Sequence, residues 1–357
     1  MDSALRRARY AKISTELAHH DDDALRVLVG NPAGTPGWGS VRTVEVAGEP
    51  VFVKIIPLTE LELARPYSTR NHYRLPTCYQ YGIGSAGFGA WREIITYLKL
   101  SNQVLADAVA TFPLAYHVRV VRRAGRASTG PADLERYVRY WNSSRGIERF
   151  LTERAGGTHE AMIFLEHLAH PLADWLLEHP EDTPRLIGQL CDTTAFLRDQ
   201  GIVHFDAHLG NIMTDGDRVY LTDFGLALDG RFSLTARERE FLDRHRLFDL
   251  GEILYGFGPQ LMRWYRSLPT AEQQQARALV GAAGDDNLAI ELGLVRGAER
   301  LAGVAHPAVI ESVIRYRAII EFMIDFFITL QKNRRKNTRF GDARLGELLR
   351  AAEVPVD

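Results

Sequence analysis

Residues 41–46, Val-Arg-Thr-Val-Glu-Val, interleave apolar and polar side chains as a half-exposed strand does. An Ala-Gly-Glu-Pro turn leads into residues 51–56, Val-Phe-Val-Lys-Ile-Ile, so the two runs predict a hairpin with Lys54 on its second arm. The short apolar run at 24–29, closed by Gly30, reads as a further strand. Residues 91–100 space their apolar positions as a helix does and carry Glu93, whereas 112–121 and 161–168 read as strands, the latter buried. Residues 122–157 are polar and charge-rich, which predicts an insertion or an exposed helix with loops. Beyond Pro171 the period turns helical: 186–200 is amphipathic and stops at Gly201, short strands follow around Ile212 and Tyr220, and helical patterns run to the end. The most apolar stretch, 318–330, is broken by Glu321 and Asp325 and is too short to span a bilayer, so it reads as a buried helix. A strand-rich front and a helix-rich back predict an α+β chain in two parts.

Composition narrows this picture only a little. A length of 357 residues suits two domains or lobes, and a formal net charge of -2 gives no overall attraction to nucleic acid or an anionic membrane. Cys78 and Cys191 lie far apart, outside any metal-ligand spacing. Residues 1–10 hold Arg6, Arg7 and Arg9 but no apolar core of a signal sequence, so a cytoplasmic location is expected. The basic run at 332–339 is read as a solvated helix end; its other reading is a contact for an acidic partner or nucleic acid, against which stands the lack of interleaved aromatics.

Candidate chemistry concentrates in residues 201–225. His204, Asp206 and Asn211 form a His-x-Asp-x-x-x-x-Asn string, and Asp223-Phe224-Gly225 follows. Phosphoryl transfer asks for positioning and charge neutralisation: a carboxylate for the acceptor hydroxyl and oxygen ligands for Mg²⁺. Asp206 suits the first task, and Asn211 and Asp223 the second. Lys54 inside an apolar strand is costly unless a carboxylate partners it. Glu93 on the next helix is the preferred partner, with Glu60 or Glu62 as the competing choice.

Taken together, these strings resemble the catalytic and magnesium loops of the protein-kinase-like superfamily, with residues 25–260 covered by the resemblance. It implies a bilobal protein-kinase-like fold, with a small antiparallel-sheet N-lobe over residues 1–165 and a larger helical C-lobe over 166–357. It further implies ATP and Mg²⁺ as cofactors and transfer of the γ-phosphate to a hydroxyl-bearing acceptor. By the same resemblance Asp206 is the catalytic base, Asn211 and Asp223 are the metal ligands, Lys54 clamps the phosphates and Glu93 braces it. Glu166 and Leu168 contact adenine through backbone groups, and Asp249 supports the catalytic loop from below. Gly34, Gly37 and Gly39 are the expected phosphate cover, although their spacing is irregular and Pro36 removes a donor. Residues 82–87 fit Gly-x-Gly-x-x-Gly better and read as a second anion-contacting loop or as a flexible entry to the Glu93 helix.

Three departures bear on the acceptor. Phe205 stands where regulated protein kinases carry arginine, and His208 where Ser/Thr kinases carry lysine. The loop is closer to those of aminoglycoside- and choline-kinase-like enzymes, where His208 would touch the transferring phosphate or the acceptor; its other reading is a histidine bonded within its own loop. No Ala-Pro-Glu follows Asp-Phe-Gly; 233–246 reads as a charged helix. The intact Asp-Phe-Gly leans the expectation toward a protein Ser/Thr acceptor, with a small-molecule acceptor as the alternative. A nucleotide-binding pseudokinase acting as an interaction module is the reading from a different class.

Overall fold

The computed structural model describes residues 3–30, 39–123, 133–282 and 286–356. The chain divides into two compact units, the first made of Met1–Leu168, Thr222–Leu242 and Asn333–Asn337, the second of Ala169–Leu221, Asp243–Lys332 and Thr338–Asp357.

The first unit opens with helices α1 (Ser3–His19) and α2 (Asp22–Val29). The run at 24–29 is therefore helix and not strand. Asp21 caps α2 by accepting the Ala24 N–H at 2.8 Å, Asp22 and Asp23 complement the helix dipole, and Gly30 leaves the helix at φ +70°. Leu25 and Val29, four residues apart, are buried while Val27 is exposed, which is a helical period. Strands β1 (Ser40–Val46) and β2 (Glu49–Leu58) form the hairpin, turned by Ala47 and Gly48, both at positive φ. Then come the capped turn α3 (Glu60–Leu63), the long helix α4 (Ala90–Leu105), β3 (Ala115–Arg122), α5 (Leu134–Tyr140), α6 (Arg145–Ala155) and β4 (His159–Glu166). The four strands make an antiparallel sheet in the order β1-β2-β4-β3. Residues 133–157 are more than an exposed insertion, because Trp141, Ile147, Phe150 and Leu151 are buried.

The second unit begins with β5 (His170–Pro171), α7 (Leu172–Glu178), α8 (Thr183–Asp199), β6 (Ile202–Val203), β7 (Ile212–Thr214) and β8 (Val219–Leu221); β5, β7 and β8 pair into a small antiparallel sheet. Gly201, at φ +70°, follows α8 and lets the chain turn into the loop that carries Asp206. The stretch returning to the first unit holds β9 (Leu228–Asp229) and most of α9 (Ala236–Asp243). The rest of the second unit is helical: α10 (Phe248–Tyr255), α11 (Phe257–Ser267), α12 (Thr270–Val280), α13 (Asn287–Arg296), α14 (Pro307–Lys332) and α15 (Asp342–Ala351). Helix α14 packs on α8 and α10 and buries Ile319, Ile320, Met323 and Ile324. Among the described residues no helix is long and apolar enough to cross a membrane. The architecture is thus a small antiparallel sheet with a mostly helical remainder.

The basic run departs from a solvated helix end. Asn333–Asn337 belongs to the first unit, and Lys336 is buried with Nζ 3.7 Å from the centre of the Tyr140 ring, a cation–π contact.

Candidate active site

In the first unit, β2 and α4 bring Lys54 and Glu93 together. Lys54 Nζ lies 2.6 Å from Glu93 Oε1 and donates to Asp223 Oδ1 at 2.7 Å. Lys54 leaves the sheet on the face opposite Val53 and Ile55, both buried, so its stem is covered while its ammonium reaches the carboxylates. Burial opposes the charge, yet Asp223 and Glu93 together hold the Lys54 pKa above its ordinary value, so it stays an ammonium. Burial pushes the Glu93 carboxyl above the usual carboxylate range, against the pull of Lys54. The rival partners are engaged elsewhere. Glu62 caps α3 through Thr59 and also accepts the Ala90 N–H at 2.8 Å, at the start of α4, and Glu60 accepts the Thr158 hydroxyl at 2.7 Å.

Asp223 sits in the left-handed region at φ +60°. Its N–H donates to the Tyr97 hydroxyl at 3.0 Å, and its Oδ1 accepts the Gly225 N–H at 3.3 Å. Phe224 is buried edge-on to Tyr97, ring centres 4.8 Å apart. Residues 80–89 pack against this turn. Phe88 N–H donates to Gly225 O at 3.3 Å, Gln80 Nε2 donates to Leu226 O, and a Cβ on Gly87 (φ +82°) would stand 2.8 Å from Gly225 O. The Tyr137 hydroxyl donates to Gly84 O at 2.7 Å, and Arg154 Nη1 to Ala86 O at 2.9 Å. Gly87 thus serves an approach of backbone to backbone beside Asp-Phe-Gly, whereas at Gly84 a Cβ would meet nothing within 4 Å.

In the second unit the loop after β6 is held from α10. Asp249 accepts the His204 N–H at 2.7 Å and the Phe205 N–H at 2.9 Å, and Glu252 accepts the Ala207 N–H at 2.7 Å. Asn211 Nδ2 donates to both Asp206 Oδ2 and Asp206 O at 2.9 Å, which turns the Asn211 amide oxygen the other way. His208 Nδ1 accepts the Gly210 N–H at 3.0 Å, so a neutral ring carries its proton on Nε2, which lies 3.7 Å from Asp206 Oδ1. One nitrogen of His208 is thus bonded within the loop, as the second reading has it, and the other faces the Asp206 carboxylate.

Each unit therefore gathers one part of the set: Lys54, Glu93 and Asp223 in the first, Asp206, His208 and Asn211 in the second. Glu166 ends β4 with its side chain buried and doubly paired to Arg6 of α1, at 3.0 and 2.6 Å, and Leu168 is buried two residues on. Gly34 and Gly37 lie outside the described residues. Gly39 is described, and a Cβ there would stand 2.6 Å from Ile55 O. Side-chain oxygens of Asp223, which is 44% exposed, and of Asn211 are hard ligands of the type Mg²⁺ takes, so the donor chemistry fits that ion.

Two contributors escape a motif reading. Tyr97 stands four residues after Glu93 on the same helix face, and Glu252 three after Asp249. Two acids on so apolar a helix as Phe-Asp-Leu-Gly-Glu-Ile-Leu are costly without partners, and that was the available signal.

No family model matches the sequence, and no curated protein matches it. A solved structure titled "WaaP in complex with acyl carrier protein" is similar at a TM-score of 0.36 and 13% identity, covering 74% of this chain and 89% of that one. A likeness at that level carries no argument about fold or activity.

Proposed function

We propose that the chain is an ATP- and Mg²⁺-dependent phosphotransferase of the protein-kinase-like type, acting on a hydroxyl acceptor. The observation that carries this reading is Lys54, an ammonium 16% exposed, held by a helix carboxylate and by the aspartate of Asp-Phe-Gly. A cation kept charged and fixed between two acids is suited to a phosphate chain. In this reading Lys54 binds the α- and β-phosphates and Glu93 keeps it in place. Asn211 and Asp223 hold Mg²⁺, which when bound neutralises charge on the phosphate oxygens.

Asp206, oriented by the Asn211 amide, takes the acceptor's hydroxyl proton. As the new oxygen–phosphorus bond forms, the bond from the γ-phosphorus to the bridging oxygen breaks and ADP leaves with the electron pair. His208 Nε2 is assigned to the acceptor or the transferring phosphate. The Glu166 carbonyl and Leu168 amide are assigned to adenine, and Gly34, Gly37 and Gly39 to phosphate cover. Residues 1–165 would serve the nucleotide and 166–357 the acceptor.

A protein Ser/Thr hydroxyl is the first acceptor class, on the intact Asp-Phe-Gly. The small-molecule reading is favoured by the segment after it, where buried ion pairs hold Asp229 and Glu238 to α4. Incubation with γ-labelled ATP, Mg²⁺ and generic protein acceptors separates the readings. Label on protein supports the first; ATP consumption without protein labelling supports the second. Nucleotide binding with no turnover under any condition would overturn the phosphotransferase and leave a binding module.

A further inference from the structure

Glu93 and two basic residues share helix α4, and the basic pair reaches the segment beyond Asp-Phe-Gly. Arg92 Nη2 donates to Glu238 Oε1 at 2.7 Å and its Nε to Thr69 O at 2.8 Å, while the guanidinium carbon lies 5.2 and 5.6 Å from the Phe88 and Phe232 ring centres. Lys99 Nζ donates to Asp229 Oδ2 at 2.8 Å. Side-chain exposure is 2% and 3% in the first pair and 14% and 2% in the second, so solvent screens neither strongly.

The carboxylates are fixed on their far sides as well. Glu238 Oε2 accepts the Thr235 N–H and hydroxyl, both at 2.9 Å, and Asp229 Oδ1 accepts the Arg231 N–H at 2.8 Å. Thr235 Oγ1 in turn accepts the Glu238 N–H at 3.2 Å, a reciprocal cap at the start of α9. A phosphate on that hydroxyl would break the cap and set like charge beside Glu238.

We propose that Arg92–Glu238 and Lys99–Asp229 are positioning pairs. They fix the segment after Asp-Phe-Gly to the helix bearing Glu93, so that carboxylates built into the chain assemble Lys54, Glu93 and Asp223 without phosphorylation of the segment. This regulation rests on the phosphotransferase reading of the site. Two buried pairs flank Asp223's turn in sequence on one side, and the same helix supplies Glu93 and Tyr97 to Lys54 and Asp223. Loosening either pair frees α4 and the turn to part.

The test uses the full-length protein and the substitutions Asp229→Asn, Lys99→Met and Glu238→Gln, with Lys99→Arg as the conservative control. Amide hydrogen exchange across residues 222–230 should quicken in the first three and stay at the wild-type rate in the control. With the acceptor found above, kcat should fall roughly 10- to 100-fold in those three, as expected for a misplaced catalytic group, and remain near wild type in Lys99→Arg. Replacing an exposed hydroxyl between the two pairs, Ser233→Ala, and phosphatase treatment of the wild type should leave turnover unchanged. Unaltered exchange and kcat in Asp229→Asn and Lys99→Met overturns the proposal even if Glu238→Gln fails to fold, and so does loss of turnover on dephosphorylation. A wild type with no turnover would sink the phosphotransferase reading alone, because the exchange measurement still decides whether the pairs hold the turn.

Discussion

Asp249 accepts the Phe205 N–H at 2.9 Å while Phe205 holds a left-handed backbone at φ +65°, a conformation bulky residues adopt only where their surroundings impose it. The imposition comes from one helix. Asp249 and Glu252 on α10 together take the N–H groups of His204, Phe205 and Ala207, and the Phe205 ring packs against His245 and Phe248 at 5.5 and 5.3 Å. The chain reverses sharply at Phe205, and Asp206 is presented on a loop whose backbone donors are satisfied from beneath.

That arrangement has a pH signature. Burial raises the Asp249 pKa to about 7, against the pull of the His204 and Phe205 N–H groups, and burial raises Glu252 in the same direction. A carboxyl whose folded pKa exceeds its unfolded value binds more protons folded, so its contribution to stability falls as pH rises from its ordinary 3.8 toward 7 and is flat above. The stability difference between wild type and Asp249→Asn, from urea unfolding, should decline across that window. A difference that stays constant, or rises with pH, would show that Asp249 is not held protonated.

Asp206→Asn should lower phosphoryl transfer by at least ~100-fold, since a general base contributes on that order. The amide can still meet Asn211, so thermal unfolding should match wild type. Transfer within a few-fold of wild type would remove Asp206 from the catalytic role.

Asp223→Ala should abolish the Mg²⁺-dependent part of nucleotide affinity, read by calorimetry with and without the ion. Lys54→Met should weaken nucleotide binding with or without Mg²⁺, and it leaves Glu93 buried without its cation. Breaking such a pair costs roughly 3–5 kcal/mol where the remaining charge cannot adjust, and less here because Glu93 can take up a proton. Equal Mg²⁺ dependence in both variants would contradict the division of roles.

Gly84 and Gly87 make an internal comparison. Both have positive φ, +95° and +82°, so alanine at either should cost about 1–2 kcal/mol of backbone strain. Only at Gly87 would the new Cβ meet Gly225 O, at 2.8 Å; at Gly84 nothing lies within 4 Å. Gly87→Ala should therefore be the less stable of the two and reduce turnover well beyond Gly84→Ala. Equal turnover would mean that residues 82–89 do not position Asp-Phe-Gly.

Some of this can be read in the chain before any coordinates, and the failures have physical causes. Lys54 stands out as a cation inside the apolar run at 51–56, and the geometry gives it Glu93 and Asp223 as neighbours. The stretch at 24–29 misleads because a six-residue apolar run has no clear period, and its decisive cap, Asp21, lies outside the run. A glycine at position 87 reads the same in the sequence whether or not its backbone must approach that of Gly225. The burial of Trp141 is invisible locally because the side chains around it, Tyr79 and Tyr140 among them, include partners distant in sequence. Lys336 looks like one more charge in a basic run, and its burial against the Tyr140 ring sets it apart.

The composition of the first unit constrains biogenesis. Its sheet and α4 are finished by Leu168, yet it also draws on Thr222–Leu242, which brings Asp223 and Glu238, and on Asn333–Asn337, which brings Lys336. A nascent chain has therefore synthesised Lys54 and Glu93 long before the aspartate that joins them, and the aromatic face of Tyr140 waits for a lysine almost two hundred residues later. A contiguous fragment that rebuilds this unit must therefore run through Asn337. Termination before Asn333 would leave the Tyr140 ring without the Lys336 ammonium.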